Sequence, residues 1–174
     1  PRRRYGPRNR WWVFQYPIPS REGWPVTWVY SSLLSLRQEQ TRRERLARAI
    51  EELTDLNARL RNPRTRLRKP SEISRRIEEI VHGSGVSDYL RVERRMEEEY
   101  SYRQKTSGRP GPNTDYRRKT KRRYQVSWHI DESAIAYARK SDGMYPLLTN
   151  DRALTPRQVL EAHKGQPKIE KRFE

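Results

Sequence analysis

Six of the seven residues from Arg117 to Arg123 are cationic (Arg117, Arg118, Lys119, Lys121, Arg122 and Arg123), and Tyr116 and Tyr124 flank them. Cations packed this densely suit phosphate, with binding that weakens as salt rises and reads little sequence, and flanking tyrosines can stack on unpaired bases. Nucleic acid is the expected ligand. Arg109, in a nearby Gly/Pro-rich loop, is a further candidate phosphate contact. The competing expectation is a solvated strand end whose charge is neutralised from across a β-ribbon by Glu97, Glu98 and Glu99.

The other titratable groups form no site by spacing. His82 falls at the end of an expected helix, where a cation meets the dipole, and His129 falls on the polar side of an expected strand. Asp142 and Asp151 flank a short apolar run and read as turn formers. The chain has no Gly-rich phosphate loop and no paired-His helix. With zero Cys it also has no thiolate zinc site and no disulfide framework. The carboxylate that stands out is Glu170, in Lys164-Gly-Gln-Pro-Lys-Ile-Glu-Lys-Arg-Phe173.

The elements that must carry these groups follow from periodicity. Trp11–Tyr16 and Val26–Tyr30 read as two short strands, and Ser31–Arg61 as a helix whose Leu46, Ala49, Ile50, Leu53, Leu56 and Leu60 make one stripe. A second helix is expected over Ser71–His82, with Ile73, Ile77, Ile80 and Val81 on its inner face, packed on the first as an antiparallel hairpin. From Asp88 to Arg103 the odd positions are polar while Leu90, Val92, Met96, Tyr100 and Tyr102 are even, which predicts a long strand. Its partner is expected over Tyr124–Ile130, across a mobile loop from Lys105 to Asp115. A short helix around Ile135–Tyr137 and a buried strand at Pro146–Thr149 follow. A further helix is then opened by Thr155, Pro156 and Gln158 as a capping box, with Val159, Leu160 and Ala162 inward. Gly165-Gln-Pro167 is expected to bend the chain into a new helix that carries Glu170.

Composition bounds the rest. The chain has 174 residues, 39 Lys and Arg against 22 Asp and Glu, and a net charge of +17, which favours a polyanionic partner. Leu, Ile, Val and Phe together number 31, close to the level at which high charge suggests disorder, while five Trp and ten Tyr restore a thin core. No apolar run approaches a membrane span and none reads as a signal peptide, so no membrane partner is expected and the expected location is cytoplasmic. Both ends, Pro1 and the uncapped Ile169–Glu174, read as cut, and residues 1–10, with five arginines, read as a basic arm. The expected segments are 1–30 (arm and short strands), 31–85 (helical hairpin), 86–131 (β-ribbon with basic loop) and 132–174.

The stretches Pro146-Leu-Leu-Thr-Asn150, Leu154-Thr-Pro156 and His163–Phe173 resemble the end of the catalytic domain of bacterial insertion-sequence transposases. These belong to the DDE class and carry a Tyr-x2-Arg-x3-Glu-x6-Lys signature. Glu170 matches the catalytic Glu. His163 stands at the Tyr position, Gln166 at the Arg position, and the Lys position would be 177. The resemblance implies an α+β chain in which a helical hairpin and an antiparallel β-ribbon, inserted into the domain, precede the strand and helices that end a ribonuclease-H-like fold. It also implies that the domain is incomplete here, since the two catalytic Asp residues have no match. Glu170 would be both catalytic residue and metal ligand, with Mg2+ or Mn2+ in the complete protein and none held tightly by this part alone. Transposon-end DNA would be the partner, a homodimer the complete assembly, and the location nucleoid-associated. The parent would cleave and transfer DNA strands, while this chain would be inactive by itself. The alternative expectation is a non-enzymatic, basic nucleic-acid-binding module. A structural protein that self-associates through the hairpin is a third.

Overall fold

Aromatic and β-branched residues build one sheet, and long charged strands interspersed with tyrosine build the other. The computed structural model describes residues 8–170, with side chains through residue 166. In chain order the elements are β1 (Trp11–Tyr16), β2 (Val26–Ser31), α1 (Ser32–Arg61), α2 (Pro70–Gly83), β3 (Leu90–Gln104), β4 (Tyr116–Ile130), α3 (Glu132–Arg139), β5 (Met144–Leu148) and α4 (Pro156–Glu170). The chain is α+β, with sheets β1-β2-β5 and β3-β4, every pair antiparallel. It divides into two units: Arg43–Ala134, and the segments on either side of it.

In the discontinuous unit, β2 is the central strand and buries Thr27, Val29 and Ser31 on one face, and α4 packs against β1 and β2. The Thr155 capping box forms as the sequence predicts. The Thr155 amide donates to Gln158 Oε1 at 2.9 Å and the Gln158 amide to Thr155 Oγ1 at 3.4 Å. Val159 and Leu160 are buried, but Ala162 is exposed. α4 also runs on through Gly165 and Pro167 to Glu170 instead of breaking. Gly costs about 1 kcal/mol in a helix and Pro removes one N–H; both weaken a turn without ending it here. The strand around Pro146 is not buried. β5 lies at the sheet edge with Leu148 half exposed, a position that suits a residue with no N–H to give to a ladder.

α1 starts where Ser31 Oγ accepts from the Leu34 amide at 3.3 Å and Asn9 Oδ1 accepts from the Leu33 amide at 3.1 Å. Asn9 and Arg10 of the expected basic arm are therefore tied to the helix start, and the Arg10 carbonyl accepts from the Ser32 amide at 3.0 Å. Residues 1–7 lie outside the described part.

In the Arg43–Ala134 unit, the α1 stripe (Leu46, Ala49, Leu53, Leu56, Leu60) and α2 residues Ile73 and Ile80 are buried. The two helices run antiparallel: Leu56 and Arg59 line a cavity with Glu72 and Arg76, and Glu52 lines one with Ile80. β3 and β4 pair over 15 residues each, from Leu90 opposite Ile130 to Gln104 opposite Tyr116. At about 3.4 Å per residue such a ribbon is roughly 50 Å long. Leu90 and Val126 are buried at its root, while nearly all residues from Glu93 outward on β3, and up to Arg123 on β4, are exposed. β4 begins eight residues earlier than the sequence suggests, so the cationic run is itself strand. Lys is a weak strand former, and the run has no apolar alternation of its own; pairing with Tyr100, Ser101 and Tyr102 makes it strand.

Candidate nucleic-acid interface

Because the cationic run is a strand, its residues alternate between the two faces of the ribbon. Arg117, Lys119, Lys121 and Arg123 share one face with Arg103, Ser101, Glu99 and Glu97. Arg118, Thr120 and Arg122 share the other with Tyr102, Tyr100 and Glu98. Two of the three glutamates neutralise part of the charge, in line with the competing expectation. Arg122 Nε lies 3.1 Å from Glu98 and Arg123 Nη2 lies 2.8 Å from Glu99. Arg117, Lys119 and Lys121 make no ion pair among the described residues. Residues 97–123 hold nine cations against four carboxylates, so the ribbon end stays strongly positive.

Arg118 sits 4.8 Å from the centroid of the Tyr100 ring, a cation–π distance. The Tyr100 hydroxyl donates to Glu98 at 2.7 Å. That hydrogen bond and the Arg122 guanidinium hold the Glu98 carboxyl below its ordinary value, and the same carboxylate pushes the Tyr100 hydroxyl up. Nearer the root, Arg94 donates to the Pro70 carbonyl and to Ser74 Oγ and lies 5.7 Å from the Tyr124 ring centroid. Arg94 and Glu98 are the two charged residues at even β3 positions below Gln104, and both have a partner.

Sequence reasoning missed the wall that faces the ribbon. The segment between α1 and α2 is folded by its own side chains: Asn62 Oδ1 accepts from the Arg64 amide at 2.9 Å, and Arg68 Nε donates to the Thr65 carbonyl at 3.1 Å. Arg61 at the end of α1, Arg68 and Lys69 from this connector and Arg118–Tyr124 from β4 line an open cavity of about 1000 Å³, in which Glu98 is the carboxylate. The available signal was the run Arg59–Lys69, with six cations in eleven residues. Arg109 is exposed in the loop, which is closed by a 2.9 Å bond from the Lys105 amide to the Asp115 carbonyl.

The remaining predicted groups lie elsewhere. Glu170 ends α4, and its side chain is outside the described part, as are residues 171–174. Asp142 is buried against Arg42, with a 2.6 Å contact between side chains only 8% and 10% exposed. Asp151 Oδ1 accepts from the Ala153 amide at 2.9 Å, a turn bond. His82 Nδ1 is 3.0 Å from Ser87 Oγ. Among the described residues no group of three His, Asp or Glu side chains could hold a metal ion, and Asp142 already has a cationic partner, so they do not fit a divalent-metal site. No helix among them is long and apolar enough to cross a membrane. Comparison with protein-family models, with curated proteins and with solved structures finds no match.

Proposed function

We propose that the ribbon and the connector facing it hold DNA, and that the chain is the later part of a DDE-class insertion-sequence transposase. The observation that carries the DNA-holding reading is the cavity whose two walls, far apart in sequence, are both cationic, with Glu98 the carboxylate in its lining. Like charges gathered on facing surfaces repel one another, and a polyanion removes that cost while releasing its own counterions.

The transposase reading adds the likeness of residues 146–173. On it, β5 and α4 belong to the end of a ribonuclease-H-like domain, and the Arg43–Ala134 unit is the insertion that grips transposon ends. Glu170 would supply the third carboxylate beside two Asp residues that have no match in this chain, and Mg2+ or Mn2+ held by those three groups in the complete protein would support in-line displacement at phosphorus. This chain contributes grip and no cleavage.

Binding to labelled duplex DNA across a salt series tests the grip. Replacing Arg117, Lys119 and Lys121 by Ser lowers affinity, and the slope of log K against log salt becomes shallower by about 0.9 for each phosphate that is no longer neutralised. An unchanged slope removes that face of the ribbon from the interface. Mg2+-dependent nicking by the chain, abolished by Glu170→Ala, overturns the inactive-part reading. The second reading, a non-enzymatic nucleic-acid-binding module, rests on the same cationic cavity without the likeness of residues 146–173. Strand transfer by the chain joined to a segment bearing the two Asp residues excludes it.

A further inference from the structure

The ribbon has two unlike faces. Directly paired residues share a face, so Tyr100, Tyr102 and Tyr116 lie on the same side as Arg118, Arg122 and Tyr124, the side of Glu98, which is the β3 residue in the cavity lining. On the opposite face, positions 97, 99, 101, 103, 117, 119, 121 and 123 carry no aromatic residue. Tyr102 is 66% exposed and Tyr100 and Tyr116 are each 50% exposed, so these rings belong to no core. Strand propensity would place tyrosine on either face. Confinement to the face that meets the cationic connector calls for a ligand with both π-faces and phosphates.

We propose that this face binds a single polynucleotide strand, with bases on Tyr100 and Tyr102 and phosphates on Arg68 and Lys69. The proposal rests on the DNA-holding reading above and names its substrate class: DNA with unpaired bases. Base–aromatic stacking accepts any base, and cations lining a groove track the backbone. Tyr100 and Tyr102 are two residues apart on β3 and hence about 7 Å apart along it. A duplex advances about 3.4 Å per nucleotide along each strand, so this spacing fits neighbouring bases pulled apart and not bases stacked in a helix. A duplex also hides its π-faces, which leaves the tyrosines nothing to stack on. Tyr100 is already held by Arg118 and by its bond to Glu98, so little side-chain freedom is lost on binding.

The test uses the whole 174-residue chain and fluorescence anisotropy at fixed salt, with a labelled mixed-sequence strand of about 12 nucleotides, within the span one such groove covers, and the duplex of the same sequence as probes. The expected result is tighter binding of the single strand. The double substitution Tyr100→Ala, Tyr102→Ala weakens single-strand binding about tenfold or more, because two bases lose their stacking platform, and changes duplex binding less than about twofold. Tyr100→Phe with Tyr102→Phe retains the single-strand affinity, because the ring and not the hydroxyl does the stacking; retained duplex binding shows that the variants are folded. Equal or tighter duplex binding, or an Ala variant that loses both probes alike, overturns the proposal. If duplex binding still responds to Arg117, Lys119 and Lys121, the DNA-holding reading survives that outcome; if neither probe binds, both fall.

Discussion

Asn57 closes the free edge of β4 at Val126: its Nδ2 donates to the Val126 carbonyl at 2.7 Å and its Oδ1 accepts from the Val126 amide at 2.8 Å. Both backbone groups of Val126 therefore point away from β3, toward the place where a third strand would lie. One side-chain amide from α1 stands in for that strand. An exposed edge is thereby satisfied at the root of a ribbon that has only two strands and is marginal without support.

Asn57→Ala leaves the Val126 N–H and C=O unpartnered at a part-buried site, which costs about 1–3 kcal/mol. For a chain of this size each kcal/mol lowers Tm by about 2–4 °C. Thermal melting followed by circular dichroism should show that fall, and an unchanged melt would mean that Asn57 does not support the ribbon.

Asp142 and Arg42 are a second long-range pair, on the turn before β5 and on α1. Removing one partner of a buried pair leaves the other charge stranded, so Asp142→Ala should cost about 3–5 kcal/mol. Added Mg2+ should leave the melt of the unmodified chain where it is, because that carboxylate is already committed. A Mg2+-dependent rise in Tm that disappears in Asp142→Ala would make Asp142 a metal ligand after all.

Gly143 follows in the same turn with φ +81°, and a Cβ there would sit 2.6 Å from the Ser31 carbonyl oxygen and 2.9 Å from Ser35 Cβ. Its carbonyl accepts from the Ser31 amide at 2.9 Å and its amide donates to Gln38 Oε1 at 2.6 Å. Gly143→Ala combines a left-handed backbone, about 1–2 kcal/mol for any other residue, with a clash against main chain. The expected result is a larger loss of stability than Gly165→Ala, which occupies a helical position with nothing within 4 Å and should be neutral or stabilising. Equal melts for the two variants would refute the steric account.

What could be read in advance was local. The period of two in β3, the leucine stripe of α1 and the Thr155 cap each involve residues within a few positions of one another. Asn57 and Val126 are 69 positions apart, and Arg42 and Asp142 are 100 apart, so neither pair has a signature in spacing. Arg68 and Lys69 look like ordinary surface charge until the hairpin brings the connector opposite Arg118–Arg123. The Arg/Lys run concealed its own strand for a related reason. The pairing that makes it extended comes from β3, and its own residues show no period of two.

The partly neutralised ribbon makes a prediction of opposite sign to most charge removals. Glu98 and Glu99 occupy Arg122 and Arg123, so Glu98→Gln and Glu99→Gln should each release a cation toward phosphate and raise DNA affinity at fixed salt. The magnitude of the salt slope should grow by up to about 0.9 for each further phosphate neutralised on a duplex. Glu98 also sets a pH dependence. Its carboxyl is held below its ordinary value of 4.5 by the Tyr100 hydroxyl and then Arg122, so the ionised form is the one favoured by the fold. The contribution of that pairing is fully present above the ordinary value and is lost only as pH falls through the lowered one. The gain from Glu98→Gln should accordingly be as large at about pH 5 as at neutral pH and shrink only under stronger acid, where the native side chain protonates and frees Arg122 by itself. Anisotropy titrations of the native chain and of Glu98→Gln at several pH values check this. A gain that fades well above the ordinary carboxylate range would show that Glu98 is not tied to Tyr100 and Arg122 in solution.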